Sequence, residues 1–499
     1  MALSFGYPRI VDPHGVRGTD AGKVKSRPII DPLGETVTAN VVISVAEAVS
    51  QAGGRALVVG GAVRDAVIAS WSHDRVVGKD IDLEVFGLEP ATVQELVGRH
   101  GEVDTTGEHF AVFKLRGHDL DISLPRTETK FGVGHRGFLV NAAPILSPER
   151  AAMRRDFTIN AISWDPLNGA LLDPLDGLRD LESGILRHVG PAFGEDPLRV
   201  LRAAQFIARF QLESAPETTA LCRALLSEAG TLPRERIAEE WSKLLLRGVR
   251  PGSGLHFLDA CDWIEMTPGI AALRGVAQDP VWHPEGDVFV HTAHVLDEWA
   301  KRRPVDPDDA IVTGLAALCH DLGKPATTEF IDGKWRACGH ESAGADPTRR
   351  LLELITIRKD LAHQVVPLVE NHLAPATFYK LPRAGRPAIR RLANRVGGRL
   401  DRLVTVAHAD QAGRPPLVVD RFEAGEWLLE RARRLGIERS TVQPLVQGRD
   451  LVDLGLRPGK EFGVILSQVY EAQLDDAVST HHEAVALAAS IARANGLLA

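Results

Sequence analysis

The apolar positions of the chain change period along its length, and those changes mark its elements. Residues 41–52 (VVISVAEAVSQA) repeat at helical spacing and stop at Gly53-Gly54, whereas the run ALVV at 56–59 reads as a buried strand leading into Gly60-Gly61. Ile81, Leu83 and Val85 then alternate with polar neighbours, the two-residue period of a strand, which sends Asp80 and Asp82 to the same face. From there to about 165 strand and helix signals alternate, as in a small α/β domain. From 195 onward the pattern is mostly helical, with Gly- or Pro-rich breaks near 250–254 and 279–286 as candidate boundaries. Residues 1–40 are rich in Gly, Pro and Asp with little periodicity, which predicts an extended or disordered N-terminal arm.

Composition sets limits on this picture. A chain of 499 residues is too long for one hydrophobic core, so several domains are expected. No apolar run reaches the length of a membrane span and the first residues lack the pattern of a secretory leader, which predicts a cytoplasmic protein with no membrane partner. The four cysteines are far apart and form no CxxC pair; they read as reduced residues, with Cys319 and Cys338 as small buried hydrophobes. A net charge of -8 means that any positive surface for nucleic acid is local.

Two stretches carry candidate chemistry: LVVGGAVRDAV at 57–67 and GKDIDLEVFG at 78–87. A strand that ends in Gly-Gly before a helix lets a phosphate approach backbone N–H groups at the positive end of the helix dipole, and Arg64 adds a charged fork. Two carboxylates on one strand face suit a pair of divalent ions about 4 Å apart, one activating a hydroxyl and one bridging a triphosphate. Asp121, in LDISLPRTE, is available as a third acidic group on a neighbouring strand. In EDPLRVLR, Pro197 suits a first helical turn and places Arg199 and Arg202 three apart on one face, beside Asp196.

LVVGGAVRD, KDIDLEVFG, RRDFTINAISWD (154–165), LLDPLDGLRDLESGILRHV (171–189) and FGEDPLRVLRAAQFIARF (193–210) occur in the order found in class II tRNA nucleotidyltransferases. Over about 56–250 the chain thus resembles the CCA-adding enzymes and their bacterial poly(A) polymerase relatives. The resemblance implies a polymerase-β-like palm in an α/β head, followed by a largely α-helical body. It implies triphosphate contacts from Gly61 and Arg64 within a nucleotide-binding set that includes Gly60 and Asp65, and catalytic Mg2+ held by Asp80 and Asp82, with Asp121 as the third catalytic carboxylate. Arg155 would contact the nucleotide, and Asp156 and Asn160 would order the sugar pocket. Asp196 and Arg199 would read the base edge, aided by Arg202, so that the protein acts as its own template for CTP and ATP added to tRNA.

A second constellation lies downstream, in His291, His320, Asp321, His340, His372 and Asp410. Imidazoles and carboxylates on successive helices suit a closed pocket for one or two divalent ions that lower the pKa of a bound water for phosphoester hydrolysis. The adjacent His-Asp in the apolar stretch LAALCHDLG is costly to bury without such a partner. The region 286–412 looks like an HD domain. That resemblance implies phosphatase and 2′,3′-cyclic phosphodiesterase activity with Mg2+, Mn2+ or Ni2+. His294 and His408 are extra to the pattern and receive no role.

The expected organisation is therefore an extension over 1–40, a head over 41–170, a base-recognising helical neck over 171–285, the HD domain over 286–412 and a helical RNA-holding tail over 413–499. Arg391, Arg395 and Arg399 fall at four-residue intervals and read either as a basic stripe for an RNA backbone or as a solvated helix face. Poly(A) polymerase, CC-only or A-only addition, and an HD phosphohydrolase with a nucleotide-sensing head remain as alternatives. The segment 125–153 is Gly-containing and long enough to move, which favours full CCA addition.

Overall fold

The computed structural model describes residues 30–34, 36–72, 80–105, 112–130, 138–142, 145–380, 384–417, 419 and 421–498. Most of the expected N-terminal arm lies outside these residues, but its last part does not behave as an arm. Thr36 caps a helix, α1 (Val37–Gln51), by accepting the Ala39 amide at 3.0 Å, so regular structure begins before residue 41. The chain divides into two compact units, one formed by 1–240 with 253–266, the other by 241–252 with 267–499. One of these divisions, at 252/253, falls in the Gly/Pro stretch near 250–254 that the sequence marked as a boundary, but within a helix, Pro251–Ala260, rather than a loop.

The first unit is built on a seven-stranded sheet of β1 (Arg55–Val59), β2 (Ile81–Phe86), β3 (Val103–Thr105), β4 (Val112–Leu115), β5 (Leu120–Ser123), β6 (Ser163–Trp164) and β7 (Leu171–Leu172). Its spatial order is β3-β4-β5-β2-β1-β6-β7. The alternation noted in the sequence has its physical counterpart in β2, where Ile81, Leu83 and Val85 are buried and Asp82 and Glu84 face the other way. β1 lies antiparallel to β2 and β5 parallel to it, so Asp82 is flanked by Val59 on one side and Asp121 on the other. Between β1 and helix α2 (Gly61–Ser72) the chain turns through Gly60 at φ +74°, a left-handed conformation that a side chain would strain. In the segment 125–153, Arg126–Lys130 pairs antiparallel with Phe138–Ala142.

Among the described residues, the second unit's regular structure is helical apart from one exposed hairpin, Thr328–Ile331 with Lys334–Ala337. Five of its elements bear on the histidine cluster: helices Val288–Lys301, Pro307–Cys319, His340–Ala343, Leu361–Asn371 and Leu400–Ala412. The final helices, Lys460–Leu474 and His481–Ala494, share a small core of their own around Leu451, Ile465, Val469 and Ala488. Cys319 is buried as expected, but Cys338, at the foot of the hairpin, is exposed and does not pack as a small hydrophobe. No described helix is long and apolar enough to cross a membrane.

The arginine stripe does not form. Helix Arg386–Arg395 stops at Val396, and Gly397 and Gly398 take φ of +61° and +76°, so Arg399 belongs to the start of the next helix. Each guanidinium has a local task. Arg391 pairs with Glu471 and Asp475 at 2.8 and 2.9 Å, Arg395 donates to Asn371 at 2.9 Å, and Arg399 grips Asp309 at 2.6 Å and Asp401 at 2.8 Å. The charge that looked available for RNA is largely spent on folding.

Asp309 is the hub of one such network. The hydrogen bonds from Arg399, joined by those from Arg402 against the opposing effect of burial, lower its pKa to about 2. A carboxylate depressed in the folded state contributes stability that is present above its unfolded pKa and is lost as pH falls towards the folded value. Asp309→Asn is expected to cost about 2–3 kcal/mol at pH 7 and distinctly less near pH 2, read from urea unfolding followed by circular dichroism. An equal cost at both pH values would contradict this account.

Candidate functional site

In the head, Asp80, Asp82 and Asp121 line one cavity of about 210 Å³ together with Lys114 and His118. Asp80 is not on the strand: it precedes β2 in a left-handed conformation, φ +53°, which the short polar Asp side chain tolerates better than most. The side chains nevertheless reach the same cavity. Asp82 holds its carboxyl above the ordinary range, first because the packed strand around it strips water and then because Asp121, Asp80 and Glu84 repel its charge, with Arg155 opposing them. Lys114 Nζ lies 3.0 Å from Asp121 Oδ2 and partly offsets the crowding. Clustered carboxylates of this kind fit divalent cations, whose binding removes the repulsion.

Gly60 stands over this group, within van der Waals reach of Arg155 and Asp82 were it given a Cβ. Arg155 donates to Glu84 at 3.0 Å and thereby stays beside the cavity. Arg64, by contrast, turns inward. It is 3 % exposed, hydrogen-bonds Asn160 and Asp65, and stacks on Phe210 at 4.4 Å, so it is not a free fork for phosphates. It begins a buried relay: Asn160 donates to Asp156 at 2.8 Å, and Arg202 meets the second oxygen of Asp156 at 2.7 Å. Burial opposes the charge on Asp156, but Arg202, Asn160 and the Phe157 amide hold its carboxyl below the usual range.

Asp196 and Arg199 are each held by other groups. Asp196 is held by Arg236 at 2.7 Å and caps the Leu198 amide, while Arg199 donates to the carbonyls of Ala192 and Arg154 at 2.6 and 3.3 Å. The helix itself starts at Arg199, so Pro197 lies in the turn before it rather than inside its first turn. The consequence is a fixed orientation for both side chains.

In the second unit all six residues singled out from the sequence come together, each no more than 6 % exposed. Three of the four imidazoles are set in the same way. Nδ1–H of His320 donates to the Ala317 carbonyl at 2.8 Å, that of His340 to Ala337 at 2.7 Å and that of His372 to Val369 at 2.7 Å. The acceptor is always three residues back, and for His320 and His372 it is a carbonyl of the last helical turn, where intrahelical partners run out. This arrangement assigns the Nδ1–H tautomer and points each Nε2 lone pair inward.

The fourth, His291, has its Nδ1 at 2.8 Å from Glu285 Oε1 and 3.2 Å from the Gly413 carbonyl. Its Nε2 faces Asp410 at 3.1 Å, while His320 Nε2 lies 3.1 Å from Asp321. His340 and His372 confront each other Nε2 to Nε2 at 3.3 Å. Two lone pairs at that distance repel, and His320 Nε2, buried without a hydrogen-bond donor, turns its lone pair on the Asp321 carboxylate. Both features fit a cation between them. His291, His320 and Asp410 form one set of ligand atoms close enough to share an ion, and Asp321, His340 and His372 form another. Gly323 makes the approach possible: a Cβ there would stand 2.0 Å from the His340 carbonyl oxygen.

Electrostatics agree with that chemistry. Burial opposes charge on Asp321 and Asp410, yet His320 and Lys324 hold the first, and Arg414 and His291 the second, well below the ordinary carboxylate range. Burial, reinforced by His320, pushes His372 down to about 3, so it is a neutral imidazole and a competent ligand.

Comparison with known proteins places the chain. A family model described as the poly A polymerase head domain matches residues 56–187. A multifunctional CCA protein of Xylella fastidiosa strain M12 is 37% identical over 372 residues, which is 72% of this chain and 84% of that protein. The chain belongs to the CCA-adding enzymes of the poly(A) polymerase family. A second relative in this family, from Xanthomonas oryzae pv. oryzae strain MAFF 311018, is 36% identical over 438 residues, 85% of this chain and 98% of its own length. Among solved structures of CCA-adding enzymes, that of Bacillus stearothermophilus in complex with CTP aligns with a TM-score of 0.59 and 21% identity, covering 92% of this chain and 99% of that one. The Thermotoga maritima enzyme complexed with tRNA aligns at 0.55 and 19%, covering 91% and 95%. These likenesses show the fold.

Several residues around the two clusters of this CCA-adding family member were missed in the sequence. Glu84 continues the Asp80–Asp82 alternation, and Lys324 and Arg414 follow Asp321 and Asp410 at i+3 and i+4, spacings that were legible. Lys114, Arg236 and Glu285 carried no such signal, because each reaches its partner only through the fold.

Proposed function

We propose that the head adds C, C and A to the 3′ end of tRNA from CTP and ATP without a nucleic-acid template. The observation that carries this reading is the register of Asp82 beside Asp121 on adjacent strands, next to the Gly60 turn. Mg2+ held by Asp80 and Asp82 would activate the RNA hydroxyl and neutralise the triphosphate. Asp121 completes the acidic cavity, and Arg155, held beside it by Glu84, would contact the nucleotide. The α2 N-terminus at Gly61 offers backbone N–H groups to the phosphates. Arg64 acts through Asn160 and Asp156, keeping that motif in place. Asp196 and Arg199, each held by its neighbours, present an acceptor and donors to the base edge.

In the same reading, 286–412 is an HD phosphohydrolase that trims damaged RNA 3′ ends. Mg2+, Mn2+ or Ni2+ between the imidazoles and carboxylates would supply an activated water. Glu285 positions His291 by accepting its Nδ1 proton, much as a carboxylate orients a metal-bound imidazole. Glu285→Gln is expected to weaken metal binding about 10–100-fold, measured by competition with a chelator. Unchanged affinity would leave Glu285 with a packing role alone.

The test of the head is extension of a tRNA lacking its terminal CCA, with CTP and ATP supplied separately and together and resolved to single nucleotides. Two C and one A followed by arrest is the expected result. A long A ladder, a stop after CC, or no extension would instead support the poly(A), CC-only or phosphohydrolase alternatives.

A further inference from the structure

Four members of the histidine–aspartate cluster, Asp321, His340, His372 and Asp410, line a cavity of about 730 Å³ that Trp282, Trp335, Tyr379 and Phe422 also line. Trp335 lines the cavity from the hairpin Thr328–Ile331/Lys334–Ala337, where it pairs across the strands with Phe330 at 5.0 Å between ring centroids and 61° between planes. These rings have little cover: Trp335 is 39% exposed, Phe330 60%, and Trp282, in the same lining, 60%. A short hairpin carrying two such rings in water has a cost that folding does not explain, since few of its side chains face a core. Its position is informative, because it is spliced between Asp321 and His340, two members of the cluster.

Charge in the same lining narrows the occupant. Arg336 and Lys380 also line the cavity and make no ion pair among the described residues. A flat aromatic face, cations without an ion pair among the described residues and a cluster suited to phosphoester chemistry, all lining one cavity, are the complement of a nucleotide: base on the ring, phosphate at the cluster. We propose that Trp335 is a stacking platform for the terminal base of a single-stranded RNA 3′ end whose phosphate lies over the cluster. This rests on the phosphohydrolase reading of that cluster. Stacking engages the face of a base rather than its edge, so the subsite accepts all four bases.

The experiment uses the full chain with adenosine 2′,3′-cyclic phosphate, a short oligoribonucleotide ending in the same group, and the base-free analogue glycerol 1,2-cyclic phosphate. Binding is measured by equilibrium dialysis beside hydrolysis, so that an inactive cluster sinks the phosphohydrolase reading without deciding the stacking one. Trp335→Ala should weaken binding of both base-bearing ligands about ten-fold and raise KM to match, with the base-free analogue and metal content unchanged. Trp335→Phe, which keeps a ring, should recover most of the loss. Equal effects on all three ligands, or no effect, would overturn the proposal. An oligoribonucleotide bound no better than the mononucleotide would overturn its assignment to RNA ends and give the pocket to free nucleotides.

Discussion

Replacing Asp82 by alanine is expected to abolish nucleotide addition, by at least about 10³-fold, while phosphoester hydrolysis stays within about two-fold of the original. The magnitude follows from losing one of the two carboxylates proposed to hold the metal pair, roughly 4 kcal/mol of transition-state stabilisation. The specificity of the loss follows from the environment of the residue. Asp82 lies on the open face of β2, and its neighbours Asp80, Asp121 and Glu84 repel it, so removing the charge relieves the folded state rather than straining it. The thermal midpoint should therefore hold or rise slightly. Primer-extension rates, cyclic-nucleotide hydrolysis and a melting curve on the same preparation check all three statements. A parallel fall in both activities would contradict two separate sites.

Asp321 is expected to give the reverse pattern, with a complication that Asp82 lacks. Its carboxylate is 1% exposed, is bridged by Lys324 Nζ at 2.7 Å and meets His320 at 3.1 Å and His340 at 3.4 Å. Alanine there would leave a nearly buried ammonium without its counter-charge, which costs about 3–5 kcal/mol, so Asp321→Ala should destabilise the second unit as well as end hydrolysis. Asp321→Asn also removes the charge but keeps the volume and an amide oxygen that can accept from Lys324, and is the cleaner variant. It should reduce hydrolysis by at least about 10²-fold and weaken metal binding while leaving nucleotide addition near its original rate. Retained hydrolysis in Asp321→Asn would remove this aspartate from the metal site. Loss of nucleotide addition in either variant would show that the two activities depend on one another.

How much was legible before the fold was known depended on whether partners lie close in sequence. The Gly60 turn, the alternation of Ile81, Leu83 and Val85, and the capping of helices by Asp287 and Asp306 are local, and local rules describe them. The six histidine-site residues were also identified, because a His-Asp pair inside an apolar stretch has no inexpensive structural explanation. Arg64, Arg391, Arg395 and Arg399 misled for the opposite reason. An arginine on a helix has the same local signature whether it meets a phosphate or a carboxylate, and here the partners are Asn160 and Asp65, Glu471 and Asp475, Asn371, and Asp309. Those partners lie up to 96 residues away, beyond the reach of any spacing rule.

The amino-acid sequence by itself determined the family and offered two kinds of candidate chemistry with candidate residues for each, because reactive groups must occur as particular residue types in short patterns. Only the tertiary structure decided which charges remain available. It turned Arg64 into the core, gave Arg399 to Asp309, set Glu285 behind His291 and placed Trp335 in the lining of the cavity that the cluster shares. The physical reason is that charge and stacking energies depend on distances between groups, and chain separation does not predict those distances once helices and strands have packed.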